Sequence, residues 1–118
     1  MCRFVQIEQK SAVEDIERLA ELPYLDGCIL GLCDLSGSIN RLGDTYCEEN
    51  LALAQKTIDA FRSRNKTVGV STGAVDYETL RRFRDMGINL IFSGADFEYI
   101  REGGRRTLHI LQDLQSIR

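Results

Sequence analysis

The sequence predicts an α/β fold in which helices cover a parallel β-sheet. Four short apolar segments with strand character occur along the 118 residues. Segments with apolar residues at helical spacing separate them, and such an alternation is typical of parallel sheets. The sequence contains neither a linker of biased composition nor a low-complexity tract. We therefore expect one domain spanning residues 1–118.

The first unit consists of a strand at residues 3–8 and a helix behind it. Phe4, Val5 and Ile7 give the segment its strand character. Ser11 and Glu14 have the spacing of a capping box, which predicts the start of the helix. One apolar helix face follows, formed by Val13, Ile16, Leu19 and Ala20. Pro23 is expected to lie just beyond the helix end.

The second unit pairs a buried strand at residues 27–31 with a long amphipathic helix. A polar, glycine-bearing stretch at residues 34–45 separates the two. The helix is predicted from the spacing of Leu51, Ala54, Ile58 and Phe61.

The third unit begins with a strand at residues 67–71. Asp76 is a candidate N-cap for the next helix, and Gly87 is expected to end that helix. The predicted apolar face consists of Tyr77, Leu80 and Phe83.

The fourth unit has a strand at residues 89–93 and a last helix with a buried stripe of Leu108, Leu111 and Leu114. Gly103 and Gly104 are a possible break in that helix. Four such units fit half of an eight-fold barrel or a small doubly wound sheet. Periodicity alone does not choose between the two.

Composition and charge exclude several functional classes. Hydrophobic residues make up 43% and charged residues 28%, and the net charge of −3 argues against a nucleic-acid-binding module. No apolar run approaches a membrane span, and the N-terminus lacks a signal-peptide core. We expect a cytoplasmic protein without a membrane partner.

The 4 cysteines form no C-x-x-C pair, so we expect free thiols and no zinc ribbon.

Two carboxylates close neighbouring strands. Gln6 and Glu8 share one side of the first strand, and Asp34 follows the second strand just beyond Gly31. Sites in parallel α/β folds gather at this edge, and paired carboxylates suit Mg²⁺ or Mn²⁺. On spacing alone, the simpler interpretation is favoured, in which Glu8 pairs with a basic side chain and Asp34 caps a turn.

The segment from Met1 to Ser36 reads M-C-x-F-V-Q-I-E and then L-D-G-C-I-L-G-L-C-D-L-S. It resembles the metal-binding region of the HpcH/HpaI aldolase and citrate lyase family, whose members carry a V-Q-I/V-E strand and a D-G-V-F-I-G-P-x-D-L-S strand at this separation. A weaker likeness continues through residues 68–70 and 92–96. The resemblance implies the C-terminal half of a TIM-type (β/α)₈ barrel, with strands equivalent to 5–8.

The resemblance also implies a function, that of a class II aldolase which cleaves 4-hydroxy-2-oxo acids to pyruvate and an aldehyde. Glu8 and Asp34 would then bind Mg²⁺ or Mn²⁺, with Co²⁺ as a further candidate. Gln6 would position a pyruvate or other 2-oxo acid substrate. Gly31 and the backbone around Cys33 and Asp34 would receive its carboxylate.

The sequence departs from the family pattern in two ways. Leu32 replaces the proline of G-P-x-D, which removes a fixed φ angle. The family's catalytic histidine and substrate arginine lie in the first four units, so we expect no catalytic residue in this chain. His109 lies on the last helix and is not expected to replace the histidine. Cys33 is expected to be a small buried residue rather than a nucleophile.

Two alternatives to the aldolase interpretation remain open. One is a non-catalytic, truncated half-barrel that self-associates, and the other is a fragment of a citrate-lyase-like acyl-CoA lyase. The paired V-Q-I-E and G-x-x-D-L-S motifs favour the aldolase branch over the second alternative. A half-barrel exposes the edges of its outer strands, so we expect a homo-oligomer or a missing N-terminal half-barrel as the partner.

Overall fold

A computed structural model describes residues 1–116 and shows a four-stranded sheet with helices between successive strands. The elements in chain order are β1 (Phe4–Ile7), α1 (Lys10–Glu14), α2 (Ile16–Glu21), β2 (Gly27–Leu30), α3 (Leu32–Ser38), α4 (Glu48–Arg62), β3 (Thr67–Thr72), α5 (Tyr77–Asp85), β4 (Leu90–Ser93) and α6 (Asp96–Ser116). All neighbouring strands pair in parallel, which confirms the predicted α/β class.

The strand order decides between the two architectures that the sequence allows. A doubly wound sheet reverses its strand order at a switch point and carries helices on both faces. Here the order is β1-β2-β3-β4, so each new strand joins the sheet beside its predecessor, as in a (β/α)₈ barrel. The fold is therefore half of such a barrel.

The two faces of the sheet differ in their surroundings. On the helix-covered face, the side chains of Ile7, Cys28, Leu30, Val68 and Val70 are 0% exposed. They form one core with helix residues, which include Val13, Ile16, Ala54, Ile58, Phe61 and Phe83. This burial supplies the main driving force for folding.

The opposite side of the sheet, called the open face below, carries the side chains that alternate with those of the core. The register aligns Gln6 with Ile29 and Ile29 with Gly69, so these three residues lie on the open face. Phe4 and Phe92 lie there too and are 37% and 48% exposed. The open face corresponds to the interior of a complete barrel, and none of the described residues covers it.

The helix after β1 begins earlier than the sequence predicts. Its N-cap is Gln9, which makes no side-chain capping bond, and Ser11 already lies inside α1. The predicted capping box is therefore wrong, because the chain turns into the helix directly after the strand and the amide of Ala12 bonds back to Gln9. The predicted apolar face is confirmed, although Asp15 divides the helix into α1 and α2.

The segment after β2 is more helical than predicted. Within the stretch expected to be irregular, α3 extends to Ser38, and Leu32, Leu35 and Ser36 face the core from it. Turns follow, with Asn40 and Gly43 at positive φ. A helix of 7 residues is too short to show clear periodicity in the sequence.

The helix α5 starts and ends where the sequence predicts. The carboxylate of Asp76 accepts a hydrogen bond of 2.9 Å from the amide of Thr79, and Gly87 follows the helix with φ +102°. Phe83 is buried, but Tyr77 is 72% exposed, so its assignment to the buried face is wrong. Tyr77 instead borders a groove between α5 and β4 that none of the described residues fills.

The last helix departs furthest from the prediction. It is continuous through Gly103 and Gly104, and it contains no buried residue. Leu108, Leu111 and Leu114 are 54%, 53% and 62% exposed, so the predicted buried stripe is wrong. The sheet and the other helices do not pack against this stripe within residues 1–116. No helix in that range has the length and apolar character to cross a membrane.

The Asp76 cap makes the stability of α5 depend on pH. The hydrogen bonds from Thr79 hold the pKa of Asp76 below its ordinary value. The stabilisation is therefore present above the ordinary carboxyl pKa and is lost as the pH falls through the lowered pKa. We expect Asp76→Ala to lower the free energy of unfolding in urea at neutral pH, and the deficit to shrink as the pH falls below the ordinary carboxyl pKa.

Asp76→Asn is the matched control, because its side-chain oxygen still accepts from Thr79 but does not titrate. A deficit for Asp76→Ala that stays the same from neutral pH into acid would contradict this assignment.

Candidate functional site

Glu8 lies immediately beyond the end of β1, at the carboxyl edge of the sheet. The side-chain amide of Gln6 donates a hydrogen bond from Nε2 to Oε2 of Glu8 over 2.9 Å. The two side chains lie on the same side of the strand, as their alternation predicts. This bond orients the Glu8 carboxylate and leaves its second oxygen available.

Gly31 provides the space in which Gln6 and Glu8 meet. A Cβ atom at residue 31 would lie 3.1 Å from Nε2 of Gln6, 3.2 Å from Cβ of Glu8 and 3.4 Å from its Oε2. The amide of Gly31 also donates to the carbonyl of Ile7, which continues the strand pairing by one residue. Any larger residue would therefore press on both polar side chains.

Asp34 enters the same site from the first turn of α3. Glu8 and Asp34 line one cleft of about 580 Å³, together with Gln9, Lys10, Ser11 and Ser38. The structure thus brings the two sequence-predicted metal ligands to one cavity at the carboxyl edge of the sheet.

The simpler interpretation of these carboxylates finds no support in residues 1–116. Neither Glu8 nor Asp34 has a basic side chain within ion-pairing distance in this range. Lys10, which lines the cleft, pairs instead with Glu49 at 3.5 Å. The N-cap of α3 is Gly31, and no side chain caps this helix.

The donor set fits a hard divalent cation that keeps part of its hydration shell. No cluster of three or more histidine, cysteine or acidic residues suited to a metal occurs in the described range. A pair of carboxylates, Glu8 and Asp34, is nevertheless the protein contribution that Mg²⁺ commonly receives, with waters and substrate oxygens as the other ligands. Closed zinc-type coordination would need more protein ligands.

The cysteines near the site differ sharply in their surroundings. Cys33 is exposed, so its expected burial is wrong, because α3 presents it and Asp34 outward while Leu32 and Leu35 enter the core. Cys28 lies on β2 with its thiol among apolar side chains on the helix-covered face, and burial raises the pKa of this thiol to about 12.

The carboxyl ends of β3 and β4 carry hydroxyl groups that are already engaged in the fold. Ser93 donates to the carbonyl of Ala74 at 2.7 Å, and the hydroxyl of Thr72 accepts from the amide of Ala74 at 3.1 Å. Tyr99 donates to the carbonyl of Ser93 at 2.8 Å. These bonds shape the loops that follow β3 and β4.

Sequence reasoning missed two residues that shape the cleft. Ser38 receives a hydrogen bond of 2.9 Å from the amide of Lys10, which ties the start of α1 to the end of α3. No motif marks Lys10 or Ser38, and Ser38 belongs to α3, which the sequence did not predict. His109, by contrast, lies exposed on α6.

Curated relatives support the resemblance seen in the motifs, although no family model matches the sequence. The chain is 30% identical over 110 residues to a hydroxypyruvate/pyruvate aldolase of Roseovarius nubinhibens, covering 92% of this chain and 41% of that protein. It is 26% identical over 117 residues to a 2-keto-3-deoxy-L-rhamnonate aldolase of Salmonella paratyphi B, covering 99% and 43%. The chain thus spans about two-fifths of the length of these relatives.

Solved structures agree with the sequence comparison. The fold matches an HpcH/HpaI aldolase/citrate lyase family protein of Burkholderia cenocepacia with a TM-score of 0.87 and 27% identity, over 95% of this chain and 43% of that one. The resemblance to this family is therefore confirmed, in fold and in sequence, for about half of a barrel.

Thiol accessibility gives a direct check on the geometry of α3. We expect a thiol reagent at about pH 8 to label Cys33 rapidly in the folded protein and Cys28 only after unfolding. Mass spectrometry of digested protein identifies the labelled residue, and Cys33→Ser is the control. Slow labelling of Cys33 together with rapid labelling of Cys28 would mean that the helix is placed wrongly.

Proposed function

We propose that this chain is the metal-binding half of a carbon–carbon lyase, similar to the HpcH/HpaI aldolases, that cleaves 4-hydroxy-2-oxo acids to pyruvate and an aldehyde. The observation that carries the proposal is the placement of Glu8 and Asp34 on one cleft at the carboxyl edge of a parallel sheet. The relatives named as aldolases support the type of reaction.

Glu8 and Asp34 would hold the cation, with Mg²⁺ or Mn²⁺ as the first candidates and Co²⁺ as another. When bound, the cation would stabilise the negative charge that an enolate of a 2-oxo acid carries on oxygen. The carboxylates suit this task because they face water and have no competing ion pair in residues 1–116.

The other polar groups of the cleft would bind and orient the substrate. Gln6 holds the Glu8 carboxylate through its 2.9 Å bond and would position the 2-oxo acid. Gly31 leaves the space for it. The first amides of α3 have no partner inside the helix, so those of Cys33 and Asp34 would donate to the substrate carboxylate.

The proton transfer that accompanies C–C cleavage needs a base, which the family resemblance assigns to a histidine outside this sequence. His109 is exposed on α6 and does not line the cleft. We therefore propose that these 118 residues supply metal and enolate binding but little turnover on their own.

The open face of the sheet implies a partner for the half-barrel. Phe4 and Phe92 lie exposed there, and β1 and β4 end the sheet with unpaired edges in the described range. We propose that four further βα units close the barrel, supplied by a second copy of the chain or by the remainder of a longer one. Closure would bury the open face and enclose the cleft.

The metal proposal predicts a selective loss of binding. We expect Glu8→Gln and Asp34→Asn each to weaken Mn²⁺ binding by about tenfold or more, because each removes a charged ligand at little change of shape. Electron paramagnetic resonance of free Mn²⁺ measures the affinity. Glu14→Gln, which removes an exposed carboxylate outside the cleft, is the control. Equal affinity in all four proteins would exclude the site.

The closure proposal predicts self-association of the isolated 118-residue chain. We expect sedimentation equilibrium to show a dimer, and Phe92→Glu to dissociate or precipitate it, because the substitution places a charge on the open face. Tyr24→Glu also charges an exposed aromatic position, 55% exposed, but outside the sheet, and should leave the dimer intact. A well-folded wild-type monomer would rule out closure by a second copy.

A further inference from the structure

We propose that Asn50, on α4, is a positioning residue that holds α3 so that Asp34 faces Glu8. The inference rests on the proposed function, because it concerns the geometry of the proposed metal ligands. It concerns a residue outside the cleft that no sequence motif marks.

Asn50 is a buried polar residue with a defined set of partners. Its side chain is 0% exposed, and its Nδ2 donates to the carbonyl of Leu32 at 3.0 Å and to that of Thr45 at 2.7 Å. Its Oδ1 is buried without a hydrogen-bond partner among the described residues. An unsatisfied buried amide oxygen costs free energy. The two bonds from Nδ2 must offset this cost, which indicates that they have a structural role.

The two bonds of Asn50 clamp both ends of one segment. Leu32 is the first residue of α3, two positions before Asp34, and Thr45 lies in the turns that lead to α4. The polar stretch between them contains Asn40 and Gly43 at positive φ. One side chain therefore fixes the segment at its start and at its end against the rigid helix α4.

A buried hydroxyl supports the same turn of α3. Ser36 is 0% exposed and donates to the carbonyl of Cys33 at 2.6 Å. The successive carbonyls of Leu32 and Cys33 thus each accept a bond from a buried side chain. A helix of 7 residues has few internal bonds, so anchors of this kind set its orientation.

The sequence suggests why this chain needs the clamp. The family motif has proline in the position of Leu32, and proline restricts the backbone just before the metal-binding aspartate. Leu32 lacks that restriction but is 3% exposed and anchored in the core. The bond from Asn50 to its carbonyl supplies rigidity at the same residue.

The test compares Asn50→Leu with Thr57→Val. Thr57 is also on α4 and 0% exposed, but its hydroxyl donates to Leu53 within its own helix and makes no hydrogen bond to α3 in residues 1–116. Both variants remove a buried polar group, so urea unfolding gives their general loss of stability. Two further readouts separate positioning from stability: Mn²⁺ affinity by electron paramagnetic resonance, and hydrogen exchange of the α3 amides relative to those of β3.

We expect Asn50→Leu to weaken Mn²⁺ binding by about tenfold and to accelerate exchange of the Leu35 and Arg41 amides by at least about tenfold over β3. The amide of Leu35 bonds to the carbonyl of Gly31, and that of Arg41, just beyond α3, bonds to the carbonyl of Ser36. Thr57→Val should change neither. Ser36→Ala, a milder substitution, should shift both readouts in the direction of Asn50→Leu and serves if that variant does not fold.

Equal effects of Asn50→Leu and Thr57→Val on both readouts would overturn the proposal, as would unchanged exchange in α3. The exchange measurement needs no metal. If wild type binds no Mn²⁺ while Asn50→Leu still loosens α3 selectively, the proposed function fails and the clamp stands.

Discussion

The parallel pairing of β1 with β2 is the interaction on which the candidate site depends. Its register aligns Ile7 with Leu30, so both strands end at the same level. Glu8 and Gly31 are the next residues on each strand, and the bond from Gly31 to Ile7 keeps them side by side. A slip by one residue would turn Glu8 into the helix-covered core and bring Ile7 onto the open face.

The core fixes this register because one face of each strand is buried under the helices and the other face is not. Ile7, Leu30 and Val70 fill the space under the helices, whereas Gln6, Ile29 and Gly69 lie on the other side. The cost of burying a carboxylate without a partner keeps Glu8 out of the core. The site is therefore a consequence of packing, and its carboxylates are held at the sheet edge before any ligand binds.

Much of the fold could be predicted from the sequence, since strands and long helices leave a periodic signal. Ala54, Ile58 and Phe61 identify α4, and Asp76 marks the start of α5 by its capping chemistry. The short helix α3 left no such signal. The leucines of α6 have helical spacing, but spacing predicts a helix and an apolar face without identifying what covers that face.

The candidate site was predictable to a similar degree. Strand alternation and chain order place Gln6, Glu8 and Asp34 at one edge, and the motif gives them a chemical role. Ser38 contributes through its bond from the amide of Lys10, and Asn50 through its bond to the carbonyl of Leu32; in both pairs the partners are distant in sequence and follow no pattern. The exposure of Cys33 likewise follows from which side of α3 meets the core.

The central claim is that Glu8 and Asp34 bind one divalent cation. The most direct measurement is anomalous X-ray diffraction from crystals of the protein grown with Mn²⁺, recorded on both sides of the manganese absorption edge. We expect one strong peak in the cleft within coordination distance of both carboxylates. A peak elsewhere in ordered crystals, with both carboxylates free of metal, would contradict it.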